Sequence, residues 1–219
     1  MTFRVPLIAS VAIVACMFAV SLWAWPVIPD TARIAVHWDA AGNPNGYAAK
    51  SSALLFLPLF AAIMAIVLAM PPLLLPKRLG ATESRSIYPL VWLGALCLLA
   101  LAHCATVAAA LGIRFNASVA ALAGIALFFA AIGLTLRRVL PPASIRSRML
   151  AANRVPREID RMAGNVFAAA GFTTLATLAV AGLPAAFRIF VGGTIASSLI
   201  LVVQPVIWLF GFEQRGSKK

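Results

Sequence analysis

The sequence predicts an all-α, polytopic membrane protein of six transmembrane helices, with a short outer strand-and-turn insert between helices 1 and 2. Three observations predict it. Of 219 residues, 63% are hydrophobic and only 11% charged, whereas soluble domains are closer to ~45–50% apolar. The apolar residues fall into long runs, each near the ~20 residues that a helix needs to cross a bilayer. The cations gather in alternate connections, the pattern that sets orientation in a membrane.

The six runs are Val5 to Ile28, Ala53 to Leu75, Tyr88 to Leu111, Val119 to Leu136, Met162 to Phe187 and Ile189 to Gly211. Residues 1–219 therefore read as a single membrane domain, with no room for a soluble catalytic domain. The first run is long for a signal peptide and lacks a small-x-small cleavage site after it, so it reads as an uncleaved anchor. The fifth and sixth are separated by a tight connection around Pro184 and Arg188.

Fourteen of the 18 Lys and Arg lie in the N-terminus, the second and fourth connections and the tail. Cytoplasmic connections carry the Lys/Arg excess, so both termini are expected inside the cell and residues 33–50 outside. The same clustering explains the net charge of +12 through topology and anionic lipid headgroups, without direct nucleic-acid binding. The longest cytoplasmic segment, Arg137 to Arg161, holds seven arginines against Glu158 and Asp160, and three prolines that break helix. It reads as a headgroup-binding loop, with docking of a cytoplasmic partner as the alternative.

Cys16, Cys97 and Cys104 lie within spans and lack metal-site spacing. The fifth span carries Asn165, Ala169, Thr173, Thr177 and Ala181 at every fourth position, a stripe expected to pack against another helix with the threonines bonding across. Pro71 and Pro72 suggest a kink or an early end to the second helix, since each removes a backbone donor. All six acidic residues lie in connections or at span ends. His103 is the only ionisable side chain well inside a span, and its ordinary role there is a hydrogen bond to a neighbouring helix, with a relay or sensing role as the alternative. No nucleophile motif, phosphate loop, haem ligand pair or metal motif occurs, so neither catalysis nor a cofactor is expected.

The insert concentrates the polar chemistry. From Arg33 to Asp39 the residues alternate, placing Ile34, Val36 and Trp38 on one side and Arg33, His37 and Asp39 on the other, as in a short strand with one face on the membrane domain. Trp38 suits the water–lipid boundary. Asn43, Pro44, Asn45 and Gly46 supply the residue types of a type I turn, and the chain returns to the second helix through Tyr47 and Lys50. Asp30 and Asp39 stand against Arg33 and Lys50 as possible salt bridges. One histidine near one aspartate falls short of the three or four ligands of a zinc site; hydrogen bonding within the loop is the expected use.

The order His37, Trp38, Asp39, Gly42, Pro44, Asn45, Gly46, Tyr47 and Lys50, with Pro58 in the following helix, resembles the N-terminal domain, long labelled as of unknown function, of SdpI-type bacterial membrane proteins. The resemblance covers about residues 5–75, two spans and their connection, and leaves 88–211 as a four-helix second half. There Asp160, Arg161, Gly164, Phe167 and Gly171 resemble the start of the family's fifth span, while an arginine-rich segment replaces the signature that precedes it. The resemblance implies a multi-pass protein of the bacterial cytoplasmic membrane with a role in immunity or signalling. A secreted peptide toxin would be its outer partner, and a cytoplasmic repressor its inner one. Three functions remain open: a binding or immunity protein engaging a peptide or hydrophobic ligand through the outer loop, a small-solute or lipid permease, and a structural subunit of a larger complex.

Overall fold

The computed structural model describes residues 4–74, 87–113, 116–137 and 157–216, with side chains over 4–71, 87–113, 116–137 and 162–199. Within these residues the order is α1 (Arg4–Ala24), β1 (Arg33–Trp38), β2 (Pro44–Ala49), α2 (Lys50–Leu74), α3 (Ile87–Ala110), α4 (Ala117–Leu136), α5 (Arg157–Ala181) and α6 (Leu183–Gly216). Five of the six helices are long and apolar enough to span a membrane, and α6 is apolar over Leu183–Leu199. Large apolar side chains such as Ile8, Leu22, Phe56 and Ile66 point outward at 65–69% exposure. In water that surface would have to be covered, whereas lipid solvates it.

The boundaries follow from backbone chemistry. α1 ends at Ala24 rather than at Ile28, because Pro26 cannot donate and disfavours helical geometry in the residue before it. Ile28 instead turns back into a buried cluster with Ala24, Ile34, Leu54 and Val107. Asn116 caps α4, its side chain accepting from the Val119 N–H at 3.0 Å. The break expected around Pro184 and Arg188 falls at Gly182 instead. Gly182 has φ +80°, a conformation that glycine adopts without strain, and Pro184 is accommodated in the first turn of α6. α2 runs through Pro71 and Pro72 to Leu74 with no early end. Removal of the Pro72 N–H leaves the Leu68 carbonyl free, and the Tyr88 hydroxyl of α3 donates to it at 2.5 Å.

The helices pack in two groups. α1, α2 and α3 enclose Met17, Ala61, Trp92 and Leu96. α4, α5 and α6 meet around Phe129, whose ring lies 5.3 Å from Phe167 and 5.1 Å from Phe190. Where α4 crosses α5, a Cβ on Gly133 would lie 2.3 Å from the Ala168 nitrogen, and one on Gly171 2.5 Å from the Ala126 carbonyl. Small residues thus let the two backbones touch, which is how helices associate in lipid. The stripe expected to do this does not: Asn165, Ala169 and Thr173 are exposed and line an open groove of about 530 Å³ beside Gly193. Thr173 and Thr177 bond back to Ala169 and Thr173 within their own helix instead of across.

Between α1 and α2 stands an antiparallel hairpin, seated on the ends of α2 and α3. The basic connections of residues 75–86 and 138–156, including the docking alternative for the latter, lie outside the described residues.

Candidate functional site

The hairpin reverses earlier than the residue types suggest. The loop is Asp39 to Asn43, closed by Gly42 N–H to Asp39 O at 3.0 Å and Asp39 N–H to Asn43 O at 2.9 Å, with Gly42 at φ +91°. This is the three-residue hairpin connection with a left-handed glycine at its end. Asp39 supplies the rest. Its Oδ1 accepts from the Ala41 and Asn43 N–H groups at 2.9 and 2.8 Å. An aspartate that can turn its carboxylate onto the amides following it competes successfully with the Asn-Pro-Asn-Gly signal. Pro44, Asn45 and Gly46 consequently belong to β2, with Pro44 at its first residue, where a missing N–H is tolerated.

Two irregularities break the expected alternation. The register passes from Ala35↔Tyr47 to His37↔Gly46 and then to Trp38↔Pro44, so Val36 and Asn45 each lack an opposite residue. Ile34 is buried at 2% exposure as its position predicts, but Val36, at the bulge, is exposed. His37 is exposed too, and its Nδ1–H donates to Asn45 Oδ1 across the strands. Gly46 makes room for it: a Cβ there would lie 2.8 Å from His37 Cβ. Trp38 is half-buried, Tyr47 is exposed, and the Tyr47 carbonyl accepts from Arg33 Nη2 at 3.3 Å.

Of the possible salt bridges, one forms among the described residues. Lys50 Nζ lies 2.8 Å from Asp30 Oδ1, with the lysine side chain 7% exposed and the aspartate 93%. The ammonium also sits 5.1 Å from the centre of the Trp25 ring, a cation–π contact that helps a buried cation. Lys50 thereby ties the start of α2 to the segment after α1. The lysine partner, by hydrogen bond first and charge second, holds the Asp30 carboxyl below the usual carboxylate range. Asp39 is also lowered, mainly by the Asn43 backbone N–H, with burial opposing and the Ala41 backbone N–H, the Asn43 side-chain amide and the Gly42 backbone N–H adding.

The loop is docked at its far end. Ser118 Oγ donates to Asp39 O at 3.1 Å, and Gly42 lies against Asn116, whose amide would be 3.1 Å from an added Cβ. Asn116 and Ser118 escaped the sequence reading, although an Asn before an apolar run is itself a helix-start signal.

His103 is not part of the hairpin. It lies beneath it, fully buried on α3. Its Nε2 is 3.1 Å from both Met17 O and Ser21 Oγ of α1, while Nδ1 has no partner in the protein. Ser21 Oγ in turn donates to Leu54 O of α2 at 2.6 Å. Among the described residues no three His, Cys, Asp or Glu side chains lie close enough together to hold a metal ion.

Comparison with known proteins bears on the same region. Residues 12–62 match the family model described as a domain of unknown function, DUF1648. That domain occurs in SdpI-like membrane proteins. The matched segment takes in most of α1, the whole hairpin and the first half of α2, so it contains Ser21, Asp30, His37, Asp39, Lys50, Leu54 and Pro58 and ends before His103. No curated protein and no solved structure matches the chain.

Proposed function

We propose that this chain is an SdpI-like protein of the bacterial cytoplasmic membrane that binds an extracytoplasmic peptide or hydrophobic ligand at the hairpin, in an immunity or signalling role, and that it is not an enzyme. The observation that carries the reading is a hairpin with a defined shape at one end of the spans. Its loop is held by Asp39, its base by Lys50 and its tip by α4. Such a surface loses little conformational freedom on binding. Its exposed side chains combine apolar Val36 and Tyr47, at 40% and 50% exposure, with His37. Among the described residues the sheet has two strands, so each keeps an edge on which an extended peptide can pair.

The test is a deletion strain challenged with secreted peptide toxins and envelope-active peptides. Deletion is expected to sensitise cells to at least one of them. Re-expressed Tyr47→Ala or His37→Ala should fail to restore survival while the protein reaches the membrane in wild-type amount. Survival unchanged across a broad panel, or full restoration by both variants, overturns the reading.

A further inference from the structure

Ser21, well inside α1, departs from the pattern that most serines and threonines within the described spans follow. Ser10, Thr106, Thr135, Thr174, Thr194 and Ser197 each donate to the carbonyl four residues earlier in their own helix, the usual solution for a hydroxyl in an apolar setting. Ser21 does not. The carbonyl open to it by that rule is Met17 O, which His103 Nε2 occupies at 3.1 Å. Ser21 reaches across to α2 and takes Leu54 O at 2.6 Å.

Leu54 O is available because of Pro58. Four residues on in α2, Pro58 has no N–H to return to that carbonyl and its ring crowds it, which weakens the helix at this point. The two turns before Pro58 grow directly out of β2 at Ala49–Lys50. Lys50 and the hairpin therefore move with those turns, and the rest of α2 lies on the far side of the proline. Another proline-freed carbonyl on α2, Leu68 O, is held by Tyr88 in the same way, so a neighbour's hydroxyl pins the helix at each of these two points.

We propose that Pro58, Ser21 and His103 form a hinge and latch that couple the hairpin to the α1–α3 interior. In the arrangement seen here the latch is closed. The one Nε2–H of His103 is shared between Met17 O and Ser21 Oγ, which keeps the hydroxyl directed at Leu54 O. In the alternative arrangement Ser21 bonds back to Met17 O, His103 gives up that carbonyl, and the first two turns of α2 swing about Pro58 with the hairpin. Both arrangements use the same donors, so the latch is a two-state element, which is what transmission of a binding event requires. That occupancy of the hairpin moves the latch rests on the function proposed above; the latch itself does not.

The experiment needs no ligand, so it fails or succeeds independently of that function. Full-length protein in lipid nanodiscs is compared by amide hydrogen exchange over residues 50–57 and, as reference, over α4. Ser21→Ala leaves a buried carbonyl without a donor and should speed exchange over 50–57 by about ten-fold, with α4 unchanged. Pro58→Ala returns an N–H to Leu54 O, and in that background Ser21→Ala should have no further effect. His103→Ala should reproduce Ser21→Ala, since the freed Met17 carbonyl draws Ser21 back. Ser21→Cys, close in size and a weak donor, reports the same quantity where the alanine variant does not fold. Unchanged exchange in the Ser21 variants overturns the latch, and so does an equal acceleration with Pro58 replaced, which would make Ser21 a packing residue only.

Discussion

Asp39 shows how one carboxylate outweighs a run of turn residues. Its Oδ1 accepts two backbone N–H groups of the loop it begins, and its backbone carbonyl holds Ser118. Because these donors favour the charged form, the folded carboxyl titrates below its ordinary value, about 3.9 for an unstructured aspartate. The loop stabilisation is then fully present above the unfolded value and disappears as pH falls through the depressed folded one. The protection of the Asn43 amide, its exchange by NMR in nanodiscs relative to the intrinsic rate at the same pH, should fall as pH drops below about 3.9. Asp39→Asn should flatten that profile at Asn43 while leaving the response near Asp30, which is lowered by a different partner. A profile at Asn43 identical in wild type and Asp39→Asn would assign the response to Asp30 and Lys50 instead.

At the scale of the element, α5 carries two stripes of small residues, and one of them meets α4. Asn165, Ala169 and Thr173 face an open groove, while Gly164, Ala168 and Gly171 meet α4. Gly133→Val should force α4 and α5 apart. Overpacking of this kind costs about 1–3 kcal/mol, to be read as a lower thermal midpoint in detergent; Ala169→Val, on the open face, should change it little. Equal effects would mean that the packed face has been misassigned. The spans were legible in the sequence because long apolar runs have only one use in a bilayer. The choice of face was not, because both stripes are small residues three or four apart, which lie on one face of a helix, and lipid is as apolar as a helix surface, so composition carries no preference. For the hairpin, Ile34 and the strand leading from Arg33 were legible from alternation. The bulges at Val36 and Asn45 were not, since they depend on pairing between strands. His103 was legible as a buried polar residue, but its partners Met17 and Ser21 come from a helix more than eighty residues earlier.

For the whole molecule, the sixth helix decides the arrangement of the ends. The hairpin docks against the starts of α2 and α4 and the end of α3. The Gly182 turn lies at that same end, where Leu183 and Ala186 pack with Leu122. If α6 crosses, both termini lie opposite the hairpin; if it stops short, they are separated. The positive residues favour crossing: 14 of 18 Lys and Arg occur in the termini and the two connections opposite the hairpin, and such an excess marks the cytoplasmic side. Fusions to the full chain test this. Alkaline phosphatase, active only outside the cytoplasm, should be active when inserted between Ala40 and Ala41 and inactive at the C-terminus, where a cytoplasmically maturing fluorescent reporter should be bright. Phosphatase activity at both positions would show that α6 does not return the chain. Activity at the C-terminus alone would invert the protein and place the hairpin, with the binding proposed for it, on the cytoplasmic side.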